Sequence, residues 1–88
     1  MQTFVIYDVV DNKVRLKIAD TCLDYGLERI QYSAFRGRLS RNHRQELAMK
    51  LKNRLGKAEG CIHIIALCDK DAAAVVEMGK VLAERTGK

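Results

Sequence analysis

The chain has 88 residues, 16 of them basic and 11 acidic, for a formal net charge of +5. One domain is expected at that length, marginal alone and helped by burying a face against a second copy. With 48% hydrophobic and 31% charged residues and no proline the chain reads as globular, not disordered. The longest uninterrupted apolar runs, Ile64 to Cys68 and Ala72 to Val76, are too short to span a bilayer. No basic segment leads into an apolar core at the start, so a soluble cytoplasmic protein without membrane contact is expected.

Thr3 to Val10 is almost continuously apolar and rich in β-branched residues. As a strand it sets Phe4, Ile6, Asp8 and Val10 on one face and Val5, Tyr7 and Val9 on the other, which suits a strand covered on both sides. Asp11 or Asn12 can cap a following helix. Val14, Ile18 and Cys22, with Ala19 and Leu23 beside them, make its buried stripe, and Gly26 ends it. Glu28 to Leu39, ERIQYSAFRGRL, reads as one long bent strand or two short ones, with Gly37 near a bend. Ser40 or Asn42 opens a second helix, and with Asn42 the capping-box position falls on Gln45. Leu47, Leu51 and Leu55 mark its buried edge and Gly56 its end. Gly60 to Leu67, GCIHIIAL, reads as another central strand, in which His63 is better explained as a hydrogen-bonded structural residue than as a catalyst. The alanines of the tail favour helix, although Val75, Val76 and Met78 before Gly79 also suit a short strand.

That order predicts an α+β sandwich of the split-βαβ, ferredoxin-like kind, with both helices on one face of the sheet. The first and last strands look apolar on both faces. The second face therefore needs a cover, and a symmetric copy is the simplest, so a homodimer is expected.

Little chemistry is on offer. Neither GxGxxG nor GxxxxGK[ST] occurs. Cys22, Cys61 and Cys68 lack CxxC spacing and read as reduced thiols. Cys61 and His63 share a strand face that Cys68 does not, which argues against structural zinc. The positive charge is concentrated: Arg36 to Lys57 holds eight basic residues and a single acid, Glu46. Arg36, Arg38, Arg41, Arg44 and the helix lysines thus point to a polyanion, of which nucleic acid is the commonest, and a solvated basic face is the plainer alternative. Asp8 ends the first strand beside Tyr7, Arg15 and Lys17 follow on the helix, and Arg29 opens the next extended segment. One carboxylate holds Mg2+ weakly, but two copies of Asp8 across a two-fold axis can share one ion, which could polarise a phosphodiester. A capping or strand-end role for Asp8 stands beside that reading.

VIYDVVDNKVRLK, YGLERIQYSAFRGRLS and HIIALCDKD…VEMGK together resemble the CRISPR-associated protein two family, over Thr3 to about Lys80. The resemblance implies a ferredoxin-like domain over 1–80 with a tail at 81–88, and a homodimer. It also implies a short strand near Ala74 to Met78 that pairs with the partner's sheet, against the helix that propensity favours. It implies a metal-dependent nuclease acting on RNA or duplex DNA, and a central spacer in the complex in which the CRISPR integrase inserts new spacers. By position, it implies a metal role for Asp8, catalytic roles for Asp8 and Tyr7, nucleic-acid-binding basic residues at Arg15, Lys17 and Arg29, and supporting roles for Ser33 and Phe35. Lys17 stands where the family has a second helix arginine, keeping the charge and losing the fork geometry. Ala34 stands where valine is usual.

Overall fold

The computed structural model describes residues 1–79. Strand β1 (Gln2–Val9), helix α1 (Asn12–Asp24), strands β2 (Glu28–Gln31) and β3 (Ala34–Arg38), helix α2 (Arg41–Leu55), strand β4 (Gly60–Leu67) and a short helix α3 (Asp69–Ala73) follow in that order. The sheet is antiparallel, ordered β2-β3-β1-β4. This is the expected βαββαβ, ferredoxin-like sandwich. The 81–88 tail lies outside the described residues.

Local chemistry sets the helix ends. The Asp11 carboxylate accepts from the Val14 N–H at 3.0 Å and caps α1. Gly26, with φ of 79°, takes the left-handed position after it. Ser40, not Asn42, caps α2, its hydroxyl accepting from the His43 N–H at 3.1 Å. Val5, Tyr7 and Val9 on β1 pack with Ile18, Cys22, Phe35, Leu47 and Leu51. Full burial of such a side chain stabilises by roughly 1.5–3 kcal/mol. Leu23, expected in the buried stripe of α1, is instead exposed.

Four further expectations change. Glu28 to Leu39 forms two strands, and the turn falls at Tyr32 and Ser33, not at Gly37. Gly37 lies inside β3, where a Cβ would meet Leu27 Cδ2 at 2.7 Å. Strand β4 is an edge strand, not a central one, paired only with β1. Its apolar residues stay because Ile62 and Ile64 pack half-buried against the helix-side core. His63 is exposed, with no side-chain hydrogen bond among the described residues. Finally, the tail opens as helix α3, and residues 74–79 form neither helix nor strand within one chain. A strand needs an edge to pair with, and the one this segment was expected to use belongs to a second subunit.

The sheet face away from the helices carries Phe4, Ile6 and Asp8 from β1, opposite Ile65, His63 and Cys61 of β4. It is covered unevenly. The segment from Asp69 to Gly79 returns across the Phe4 half, where Arg38 pairs with Asp69 at 3.1 Å and Arg36 with Glu77 at 3.0 Å. The Asp8 half stays exposed.

Candidate functional site

Asp8 sits next to the end of β1, exposed, with the buried Tyr7 and Val9 on either side. The pleat turns those neighbours toward the helices and Asp8 to the open face. The strand is held there by its partners. The Tyr7 N–H donates to the Ser33 carbonyl at 3.0 Å, so the β2–β3 turn lies beside the Asp8 end. On the other side Gly60 faces Val9, with φ of 146°. A Cβ on Gly60 would stand 2.4 Å from the Asp8 carbonyl oxygen.

Tyr7, Asp8, Val9, Arg15, Tyr32 and Ser33 line a small open cleft of about 160 Å³. That is room for roughly five waters at ~30 Å³ each, enough for a phosphate group or a hydrated ion. Two arginines hold its walls by backbone. Arg15 Nη1 donates to the Val9 carbonyl at 2.8 Å and the Val10 carbonyl at 2.7 Å. Arg29 Nη1 donates to the Tyr32 carbonyl. The Arg29 guanidinium lies 4.8 Å from the Phe35 ring centroid and 5.9 Å from that of Tyr32, a cation–π arrangement at the turn. Phe35, fully buried, stacks on Tyr7 with ring centroids 6.3 Å apart.

Burial pushes the Tyr7 phenol up to about 12, against the opposing pull of the nearby Arg29 and Arg15 charges. It is neutral near pH 7 and is not a base there. Lys17 is exposed on α1, outside the cleft lining.

The remaining basic candidates lie elsewhere. Arg38 pairs with Gln2 across the ladder, at the opposite end of β1 from Asp8. At about 3.3 Å per residue, that end is roughly 20 Å from Asp8. Arg36 lies over the Phe4 ring at 5.9 Å, and Arg41 and Arg44 stand in the first turn of α2 just after β3. So Tyr7, Asp8, Arg15, Arg29, Ser33 and Phe35 are brought together, whereas Arg36 and Arg38 pair with Glu77 and Asp69 and Arg41 and Arg44 stand on α2. Tyr32 and Gly60 were not foreseen. Tyr32 beside Ser33 at the turn was readable as a neighbour, but Gly60 is marked only by a glycine opening a strand.

The fold and cleft define a small ferredoxin-like protein with an exposed carboxylate near the end of its first strand, beside a cleft whose walls two arginines hold through main-chain carbonyls. The family model for CRISPR associated protein Cas2 matches residues 1–75. The chain is 46% identical over 71 residues to the CRISPR-associated endoribonuclease Cas2 of Desulforudis audaxviator (strain MP104C), covering 81% of this chain and 67% of that protein. It is 44% identical over 64 residues to the CRISPR-associated endonuclease Cas1/endonuclease Cas2 fusion of Thermoproteus tenax, covering 73% of this chain and 24% of the fusion. The fold is that of the crystal structure of Streptococcus pyogenes Cas2 at pH 6.5, with a TM-score of 0.77 and 24% identity over 90% of this chain and 100% of that one. The chain belongs to the CRISPR-associated protein Cas2 family.

Proposed function

We propose that this chain is a homodimeric, magnesium-dependent endonuclease that cuts RNA or duplex DNA, and that it also bridges integrase subunits during CRISPR spacer acquisition. The observation that carries the reading is Asp8: an exposed carboxylate at a strand end, on the uncovered half of a sheet face, beside a cleft sized for a phosphate. The endoribonuclease name of the Desulforudis relative supports the nuclease, and the Cas1 fused in the Thermoproteus relative supports the integrase partnership.

The described residues hold no group of three or more His, Cys, Asp or Glu able to bind a metal. Among the described residues that line the cleft, Asp8 is the one carboxylate. Magnesium needs only one or two carboxylates and keeps several waters, so a pair of Asp8 side chains from two copies fits that ion. When bound, the ion supplies charge stabilisation at the phosphodiester. The chain's own residues do the rest: Arg15 and Arg29 hold the cleft walls, Ser33 and Phe35 fix the turn, and neutral Tyr7 supports the strand from beneath. Lys17, Arg41 and Arg44 contact phosphates, which position nucleic acid without reading its sequence, whereas Arg36 and Arg38 are engaged by Glu77 and Asp69.

A non-catalytic bridge is the second reading, favoured by the absence of any histidine or second carboxylate among the residues lining the cleft. Asp8→Asn separates the two. It is expected to abolish magnesium-dependent cleavage of RNA and duplex DNA while leaving the dimer intact in sedimentation. Spacer integration reconstituted with the same variant survives if the bridge is independent of the cut. Unchanged cleavage removes Asp8 from the site.

A further inference from the structure

Two of the site's arginines use donors on main-chain carbonyls, and Arg15 does so at the junction that carries Asp8. Its guanidinium reaches back from the first turn of α1 to the last residue of β1. A single nitrogen, Nη1, holds the Val9 and Val10 carbonyls at 2.8 and 2.7 Å. Its own N–H bonds the carbonyl of Asp11, the cap of the same helix, at 3.0 Å. Its Nε is shut off from solvent and finds no acceptor among the described residues. A buried donor left unsatisfied is costly. A side chain placed to hook phosphate from solvent has no need of that cost. One turned inward against the strand exit bears it, because Nη1 is committed to two main-chain carbonyls and Nε is carried out of reach of solvent with it.

We infer that Arg15 is a positioning residue: it clamps the β1–α1 junction through the Val9 and Val10 carbonyls and so fixes where the Asp8 carboxylate points, and it does not contact nucleic-acid phosphate. Val9 follows Asp8 directly, so the peptide Arg15 grips sets the backbone on which the Asp8 side chain is mounted. The inference rests on the cleavage reading only for its kinetic consequence. A displacement near 1 Å at a reacting group lowers rate by about a hundredfold. Lysine keeps the charge but ends one bond short of the guanidinium nitrogen and cannot serve both carbonyls in place.

The test uses the full 88-residue chain with Arg15→Lys and Arg15→Gln, since Lys preserves charge and guards against a variant that fails to fold. Three readouts are taken: steady-state cleavage of an RNA oligonucleotide with magnesium, the salt dependence of binding to that oligonucleotide, and amide exchange at Val10, whose N–H bonds the Glu59 carbonyl at 3.4 Å. The expected result for both variants is a kcat lower by at least about tenfold with KM within about twofold. The salt slope stays unchanged and Val10 exchanges faster. A phosphate-contact role gives the opposite in Arg15→Gln, a slope smaller by about 0.7–0.9 and a raised KM with kcat held, and overturns the inference. Full activity in Arg15→Lys, or unchanged Val10 exchange in both variants, overturns it as well. If the unmodified chain cuts no RNA, the endoribonuclease reading falls by itself, and the slope and exchange readouts still decide the role of Arg15.

Discussion

The two halves of the open sheet face begin from the same strand and end differently. Phe4 and Ile6 are two residues apart on β1 and point the same way, yet Phe4 is 8% exposed and Ile6 is 42% exposed. The difference is not in the strand. At the Phe4 end the chain's own return from Asp69 to Gly79 closes over the sheet, tied to Arg36 and Arg38 by Glu77 and Asp69. At the Asp8 end nothing in the described chain returns. Arginines follow the same division: at the Phe4 end they meet carboxylates, and at the Asp8 end Arg15 meets main-chain carbonyls. One end is closed by charge, and the other is shaped by backbone and stays open among the described residues.

The largest expected effect falls on the open end. Gly60 combines φ of 146° with a Cβ position 2.4 Å from the Asp8 carbonyl oxygen and 2.8 Å from Val9 Cα. Those obstacles are backbone and cannot swing away. Gly60→Ala is expected to cost about 3 kcal/mol, lowering the thermal midpoint by more than ~10 °C and unzipping β4 from the end of β1. Gly37→Ala is the control at the other end. Its Cβ meets the tip of the buried Leu27 at 2.7 Å and the Leu27 Cα at 3.2 Å, so the nearest obstacle is a side-chain end and the backbone is farther off than at Gly60, and φ there is not positive. The expected cost is about 1 kcal/mol. Equal losses in circular-dichroism melts would mean that the Asp8 end is no more tightly built than the Phe4 end.

Much of this was legible from residues alone. Asp11, Gly26, Ser40 and Gly56 punctuate the helices because caps and left-handed positions demand particular side chains. Tyr7 and Asp8 were placed on opposite faces by alternation alone. What failed to read was sheet position and partner choice. An edge strand with residues such as Ile62, Ile64 and Ile65 on both faces looks central, because periodicity reports cover and not neighbours. Arg36 reads as a hook for phosphate, but its carboxylate, Glu77, lies 41 positions downstream and is brought near only by the fold. The role of Arg15 is set by two carbonyl directions, which no side-chain pattern encodes. The Asp8 site was legible in its members and illegible in how the arginines serve it.

Alkaline pH gives the next effect and acts through the floor beneath Asp8. Burial raises the Tyr7 phenol to about 12 and, in α1, the Cys22 thiol to about 12, with Arg29 pulling both down. In each case the folded chain holds its proton more tightly than the unfolded chain. The stability this contributes is whole below pH 9 and is lost as pH rises through 9–12, thiol first. At about 1.4 kcal/mol per unit, Cys22 accounts for roughly 2 kcal/mol by about pH 10.5. Denaturant melts are expected to show that decline, and Cys22→Ala to flatten most of it. A decline of equal size in Cys22→Ala would assign the loss to other groups.

The smallest effect belongs to the closed end. Arg36–Glu77 and Arg38–Asp69 are partly exposed ion pairs, a class worth about 0–1 kcal/mol each and weakened further by salt. Asp69→Asn with Glu77→Gln should therefore leave the global midpoint nearly unchanged. What the pairs hold is local. The Ala74 and Val75 N–H groups bond the Asp71 and Ala72 carbonyls at 3.1 and 3.2 Å, in a segment with little buried apolar surface. Such segments open by themselves, at a small fraction of the global free energy. Exchange at Ala74 and Val75 is expected to quicken about threefold in the double variant, and similarly in the unmodified chain at 1 M salt, while Val5 and Phe35 keep their protection. If the midpoint instead falls by more than ~5 °C, the returning segment is part of the cooperative core, and the two ends of β1 differ in geometry but not in how they are held.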